Sequence, residues 1–353
     1  MKNFKAVLLI VFLCFISMLT VGYGGFSAAM YVLPVKEEHT FQKTPPESTP
    51  SKETASSEKI VSSTAQNTSA PVQSASQTSS AAVATGEGST VSGKIIERFI
   101  GSQTASDSFG NVHIRNNTGV EVDIKKALST AIKFKIKKNA EPQVLIVHTH
   151  TTESYMQENR DYYTKSDASR TTDVSKNMAA IGERVAAELK AAGIGVIHDK
   201  TLHDYPSYTG SYTQSAKTIK AYLKKYPSIK VVLDVHRDAV NGDGTDKIKF
   251  VSEQGGKKAA QVMLVMGSQT GNVTGFPEWK QNFRLAVRFQ QKMETMYKGL
   301  SRPLYFMSRK YNQNLTTGSM LLEVGTEANS MEEALYSGTL AGKALAATLL
   351  ELT

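Results

Sequence analysis

Three stretches of this chain place histidine and carboxylate side chains at the ends of apolar runs. His148-Thr149-His150-Thr151-Thr152-Glu153-Ser154-Tyr155 follows the run at 144–147 directly, and Asp234-Val235-His236-Arg237-Asp238 closes a second run that starts at 231. Leu321-Leu322-Glu323-Val324-Gly325-Thr326-Glu327 sets a glutamate late in a third. Neutral imidazole and carboxylate are the donors zinc takes where thiolate is missing. Cys14 is the single cysteine, and it sits inside an N-terminal apolar run. That excludes an intramolecular disulfide and a cysteine-type zinc site, so any metal here, Zn2+ included, must be held by His and Asp or Glu. A carboxylate beside a zinc-activated water works as general base and then as acid to a leaving amine. The chemistry on offer is metal-assisted hydrolysis.

Each candidate also has a plainer reading. Residues two apart on extended backbone point to one side, which predicts that His148 and His150 share a side. His150, nearer the loop, is the better ligand; His148 reads as a supporting group or as a hydrogen-bonded core histidine. His236 is a ligand that Asp234 and Asp238 orient, or it is exposed beside an ion-pair network of Asp234, Arg237 and Asp238. Glu323 is costly to bury unless paired or working, or it faces solvent on an edge strand. Glu327 reads as the start of the last helix. The segment 198–208, with His203 and two tyrosines, suits a substrate-contacting loop and equally a structural turn.

Such residues need strand ends to hold them. Apolar runs at 143–149, 195–198, 230–235, 248–251, 262–266 and 319–324 read as strands. Helical patterns fall at 174–192, 214–225, 278–298 and 331–350. Shorter strands at 112–114 and 120–124 and a helix at 125–134 precede them. This alternation predicts an α/β fold, with a largely parallel sheet covered by helices on both faces. Sites in such sheets form at the carboxyl ends of the strands.

The chain opens with Lys2 and Lys5, then an apolar run from Ala6 with no further charge until Lys36. That run is long enough to cross a hydrocarbon core of about 30 Å. Retained lysines predict that the rest lies outside, with a cleaved signal peptide at Ser27-Ala28-Ala29 as the rival reading. The expected organisation is a transmembrane anchor over 1–34 and a disordered Ser/Thr/Pro-rich linker over 35–93. A mixed basic segment over 94–140 and a catalytic α/β domain over 141–353 follow. The stretch 94–353 carries 35 Lys/Arg against 26 Asp/Glu, so the folded part seeks a polyanion. Its exported topology argues against nucleic acid as that partner and leaves the anionic wall and lipid headgroups.

His-Thr-His-Thr-Thr-Glu-Ser-Tyr, His-Asp-Lys-Thr-Leu-His-Asp-Tyr-Pro-Ser-Tyr and Leu-Asp-Val-His-Arg-Asp-Ala together resemble the stage II sporulation protein P family, from Gln143 to the C-terminus. The anchor and linker match that family's layout. The resemblance implies a peptidoglycan hydrolase with N-acetylmuramoyl-L-alanine amidase and endopeptidase activity. It would act in forespore engulfment beside stage II sporulation proteins D and M. Its catalytic domain would lie outside the cytoplasm, in the space between mother-cell and forespore membranes, on a single-pass membrane anchor. The family is similar, more distantly, to zinc amidases of the amidase_3 type. That likeness implies His150 and His236 as zinc ligands and Glu323 as the catalytic carboxylate. Asp173, four before Asn177, stands where those amidases carry a ligand Glu, and Glu153 is the competing third ligand. The alternative to an enzyme is a non-catalytic, membrane-tethered wall-binding scaffold.

Overall fold

A computed structural model describes residues 90–353. The expected anchor, and the linker up to residue 89, lie outside the described residues. Among the described residues, no helix is long and apolar enough to cross a membrane.

The chain runs β1 (Val91–Arg98), β2 (Asp107–Phe109), β3 (Val112–Asn116), α1 (Ile124–Ser129), β4 (Pro142–Val147), β5 (Tyr162–Thr164), α2 (Met178–Ala191) and β6 (Gly195–His198). Then come α3 (Ser211–Lys225), β7 (Val231–Asp238), β8 (Lys247–Gln254), β9 (Lys257–Ala260), β10 (Val262–Gly267), α4 (Trp279–Met296), β11 (Leu304–Met307), β12 (Ser319–Thr326) and α5 (Met331–Leu350). Eight strands form the main sheet in the order β2-β3-β11-β10-β12-β7-β4-β6. The half β12-β7-β4-β6 is parallel throughout. The antiparallel pairs are β10 with β12 and β2 with β3.

Period-2 alternation assigns the two faces. Val144 and Ile146 join α2, α4 and α5 in the larger core, whereas Leu145 and Val147 pack with Val232 against Ile219 of α3. A strand buried on both sides needs an uninterrupted apolar sequence, and 144–147 supplies it. The expected two-sided α/β arrangement is what the structure contains.

Two features differ from the sequence reading. Residues 120–124 form no strand; Asp123 caps α1 instead, its carboxylate accepting from Lys126 N at 2.8 Å. A short acidic side chain that satisfies a free helix N–H outweighs the β-branched neighbours. A second sheet, β5-β1-β8-β9, was also not foreseen. Its strands mix charged or polar residues with apolar ones, and β1 starts at Val91, inside the stretch read as linker. The 94–140 segment is split between the sheets, β1 joining the small one and β3 the large one.

Candidate active site

Parallel register brings the three sequence stretches together. Val147 lies opposite Asp234, and Glu323 lies opposite His236. Val235 and Val324 point into the larger core, so alternation turns Asp234, His236 and Glu323 toward the other face, the one α3 covers.

β4 ends at Val147 and residues 149–152 form a turn. The expectation that His148 and His150 share a side assumed extended backbone through both, and the turn overturns it. His148 is fully buried, with Nδ1 2.8 Å from the Val235 carbonyl and Nε2 2.9 Å from His198 Nε2. It is a core histidine. His150 is carried round to His236, with ring centroids 5.3 Å apart and planes at 83°. Zn–N bonds of about 2.0–2.1 Å at a tetrahedral ion put two ligand rings about 5 Å apart, so this spacing suits a shared ion.

Carboxylates surround His236. Glu153 Oε2 lies 3.6 Å from its Nδ1, and Asp234 Oδ1 lies 2.9 Å from its Nε2. The second approach is not aligned as a hydrogen bond, so Nε2 is buried without a proper partner. Asp234 is fixed in turn by the Thr149 N–H at 2.8 Å and the Thr149 hydroxyl at 2.6 Å. Glu153 accepts from the backbone N–H of Arg237 at 3.2 Å. The Arg237 guanidinium donates to the carbonyls of Ser154 and Ser169, which braces the turn after β4. Asp238 takes Arg302 Nη1 at 2.9 Å.

Asp173 lies at the surface, 43% exposed, with its carboxylate engaged by Ser175 and by Lys176 at 3.4 Å. It touches neither histidine. Of the two candidates for a third ligand, Glu153 is the one beside His236. His203 spends its nitrogens on the His148 carbonyl at 2.8 Å and on Thr218 Oγ1 at 2.9 Å, so it anchors the 198–208 loop from within. Tyr208 of that loop stacks on His150 at 4.5 Å. Two neighbours escaped sequence reading. Arg170 reaches Asp204 at 2.7 Å and Glu153 at 3.6 Å, and Tyr212 meets His150 edge-on at 5.6 Å. An isolated arginine in a loop carries no periodic or motif signal.

Burial sets the proton affinities. It holds His150 neutral, lowered to about 4, with the neighbouring His236 adding to the effect. Burial also opposes charge on His236, but Asp234 and Glu153 outweigh it and raise this imidazole well above its usual range. Glu153 resists burial because Arg237 and His236 lower it to about 2. Glu323 has no such rescue. Burial raises it to about 8, against the pull of His236 and with the charges of Asp238 and Glu153 adding to the rise. Its Oε2 is buried without a hydrogen-bond partner.

Among the described residues, no three His, Cys, Asp or Glu side chains have donor atoms already gathered for an ion. His236 is held between two carboxylates, and one of those contacts would have to yield to admit an ion. The donors nonetheless fit zinc in kind: two imidazoles in edge contact, a carboxylate beside one of them, and a buried carboxylate oxygen on Glu323 without a hydrogen-bond partner.

Residues 25–346 match the sequence pattern of the family described as Stage II sporulation protein P. The chain belongs to that family. It is 30% identical over 204 residues to the Stage II sporulation protein P of Bacillus subtilis (strain 168), covering 54% of this chain and 47% of that protein. The chain therefore spans about half the length of the curated relative it matches. Among solved structures it is similar to the N-acetylmuramyl-L-alanine amidase of Mycobacterium smegmatis, with 13% identity, 60% of this chain and 99% of that chain covered, and a TM-score of 0.36. The catalytic domain of the N-acetylmuramoyl-L-alanine amidase CwlV from Bacillus (Paenibacillus) polymyxa var. colistinus gives 13%, 60%, 99% and 0.35. At such scores the likeness carries no functional weight.

Proposed function

We propose that this protein is a zinc-dependent peptidoglycan hydrolase that cleaves the amide between N-acetylmuramic acid and L-alanine. Cleavage within cross-linked stem peptides is a second activity of the same centre. The observation that carries the reading is the meeting of His150 and Glu153, both at the turn after β4, with His236 of β7, and with Glu323 one strand away. His150, His236 and Glu153 would hold the ion; Asp173 is set aside because its carboxylate is engaged at the surface.

Bound zinc supplies Lewis acidity, which makes water nucleophilic near neutral pH, and a positive charge that favours ionised Glu323. The chain's own residues do the rest. Ionised Glu323 takes a proton from the attacking water as the new C–O bond forms at the carbonyl carbon. Glu323 then gives that proton to the nitrogen as the C–N bond breaks, leaving a carboxylic acid and an amine. Asp234 and Arg237 hold His236 and Glu153 in place. The basic surface keeps the domain on the anionic wall. By family membership the protein would act at the sporulating cell's membranes during engulfment, with stage II sporulation proteins D and M as partners, tethered by the segment at 1–34.

The test is metal analysis joined to mass spectrometry of digested sacculi. Purified protein should retain about one zinc per chain and release stem peptides. His150→Ala and His236→Ala should lose both, and Glu323→Gln should lose only the release. No zinc and intact sacculi that still bind the protein would leave a wall-adhering scaffold as the better account.

A further inference from the structure

Tyr311 and Asn312 follow one another in the left-handed region, at φ 49° and 55°, and are the only non-glycine residues with positive φ among those described. A bulky aromatic side chain adopts that backbone only where its surroundings force it, and such strain gathers at functional sites.

The surroundings here force it from two sides. Asn312 Nδ2 donates to the Tyr212 carbonyl at 2.8 Å and to Ser215 Oγ at 3.0 Å. Ser215 Oγ meets Thr149 Oγ1 at 2.7 Å, and Thr149 holds Asp234 beside His236. The strained step is thus wired by hydrogen bonds to the candidate metal centre. On the other side Gln313 grips β10, accepting from the Gly267 N–H at 2.9 Å and donating to the Val265 carbonyl at 2.9 Å. Gly267 admits this loop only because it lacks a side chain, since a Cβ there would lie 2.2 Å from the Arg309 carbonyl oxygen.

The effect is to hold the Tyr311 ring against Tyr212, centroids 6.2 Å apart, while Tyr212 meets His150 edge-on. Tyr311 is partly enclosed. Burial and the nearby Glu323 carboxylate push the phenol up to about 12, against the pull of Arg309. It therefore stays an O–H donor across the working pH range.

We propose that Tyr311 is a catalytic residue, donating its phenolic hydrogen bond to the substrate carbonyl oxygen as that oxygen gains charge. This rests on the hydrolase reading above. When water attacks, the carbonyl π pair moves onto the oxygen; when the C–N bond breaks, the pair returns. The phenol keeps its proton throughout, and the proton taken from water travels by Glu323. A donor placed for the charged oxygen stabilises the transition state more than the ground state.

Tyr311→Phe in the zinc-loaded protein should lower kcat about a hundredfold, the scale of losing one oxyanion donor. KM, zinc content, Tm and the pH profile should stay as in the wild type. Affinity for a muramoyl-peptide phosphinate, a tetrahedral anion, should fall by a similar factor in calorimetry. Tyr311→Asn, which takes left-handed backbone readily, should lose the same activity with a Tm no lower than wild type. Tyr311→Phe with wild-type kcat and phosphinate affinity, beside an inactive Glu323→Gln, overturns this assignment alone. A Tyr311→Phe loss that follows loss of zinc or a fallen Tm makes the residue structural and also overturns it. A zinc-loaded wild type that cuts nothing and ignores the phosphinate sinks both readings.

Discussion

Glu323 carries a buried carboxylate oxygen with no hydrogen-bond partner, directly across the strand pair from His236. Its raised proton affinity, to about 8, has a definite consequence for the metal-free protein. An acid whose folded-state pKa exceeds its unfolded value contributes stability that is full below the unfolded value of 4.5 and is lost as pH rises through the folded one. The stability of Glu323→Gln relative to wild type should therefore grow between about pH 4.5 and 8 and level off above that. Thermal melts of the chelated proteins read this directly, at about 2–4 °C for each kcal/mol relieved. His150 runs the opposite way. Lowered to about 4 by burial, it adds stability above its unfolded value and loses it as pH falls through the folded one. The stability of metal-free His150→Gln relative to metal-free wild type should consequently grow as pH falls through about 6 toward about 4, read as the difference between the two Tm-against-pH curves.

At the scale of elements, two contacts hold the strands and helices that present the site. Gly182 of α2 lies under the His148–His198 pair, and a Cβ there would come within 2.6 Å of both Nε2 atoms. Gly182→Ala forces the pair or the helix to move, at about 1–3 kcal/mol as for other overpacked cores. Chemical denaturation should show that loss together with reduced zinc retention, because His148 precedes the turn that carries His150. The second contact joins the small sheet to α5. Lys249 of β8 pairs with Glu333 of α5 at 2.7 Å, both side chains almost fully buried, and Glu333 also completes the capping box of α5 with Ser330. Removing only the cation, as in Lys249→Met, strands the carboxylate and should cost about 3–5 kcal/mol. Lys249→Met combined with Glu333→Gln should recover part of it in the same denaturation assay.

For the molecule as a whole, charge is the property that acts at a distance. The stretch 94–353 holds 35 cationic side chains against 26 anionic ones, and surface attraction of this kind weakens as the Debye length falls from about 10 Å at 0.1 M salt to about 3 Å at 1 M. Binding of the Glu323→Gln protein to purified sacculi, followed by sedimentation, should drop severalfold between about 0.05 and 0.5 M NaCl. Salt-independent binding would mean that short-range contacts hold the wall instead. Tyr205 and Tyr208, exposed in the loop beside His150, are where such contacts would be sought.

The local patterns in the chain were enough to determine the α/β class and to single out His150, His236 and Glu323 as candidates at strand ends. Apolar runs that end in His or Glu encode strand ends, and burial on both faces leaves those runs little freedom to be anything else. The small sheet was not legible, because β1 and β5 pair with strands far away in sequence and β9, though it pairs with its neighbour β8, is only four residues long. Nor was the choice between Glu153 and Asp173, which depends on a turn at 149–152 and a brace from Arg237. Tyr311 left no trace either, since its backbone angle arises from contacts with Tyr212, Ser215 and β10. Periodicity fixes which face a residue takes within one strand; only packing between strands decides which atoms meet.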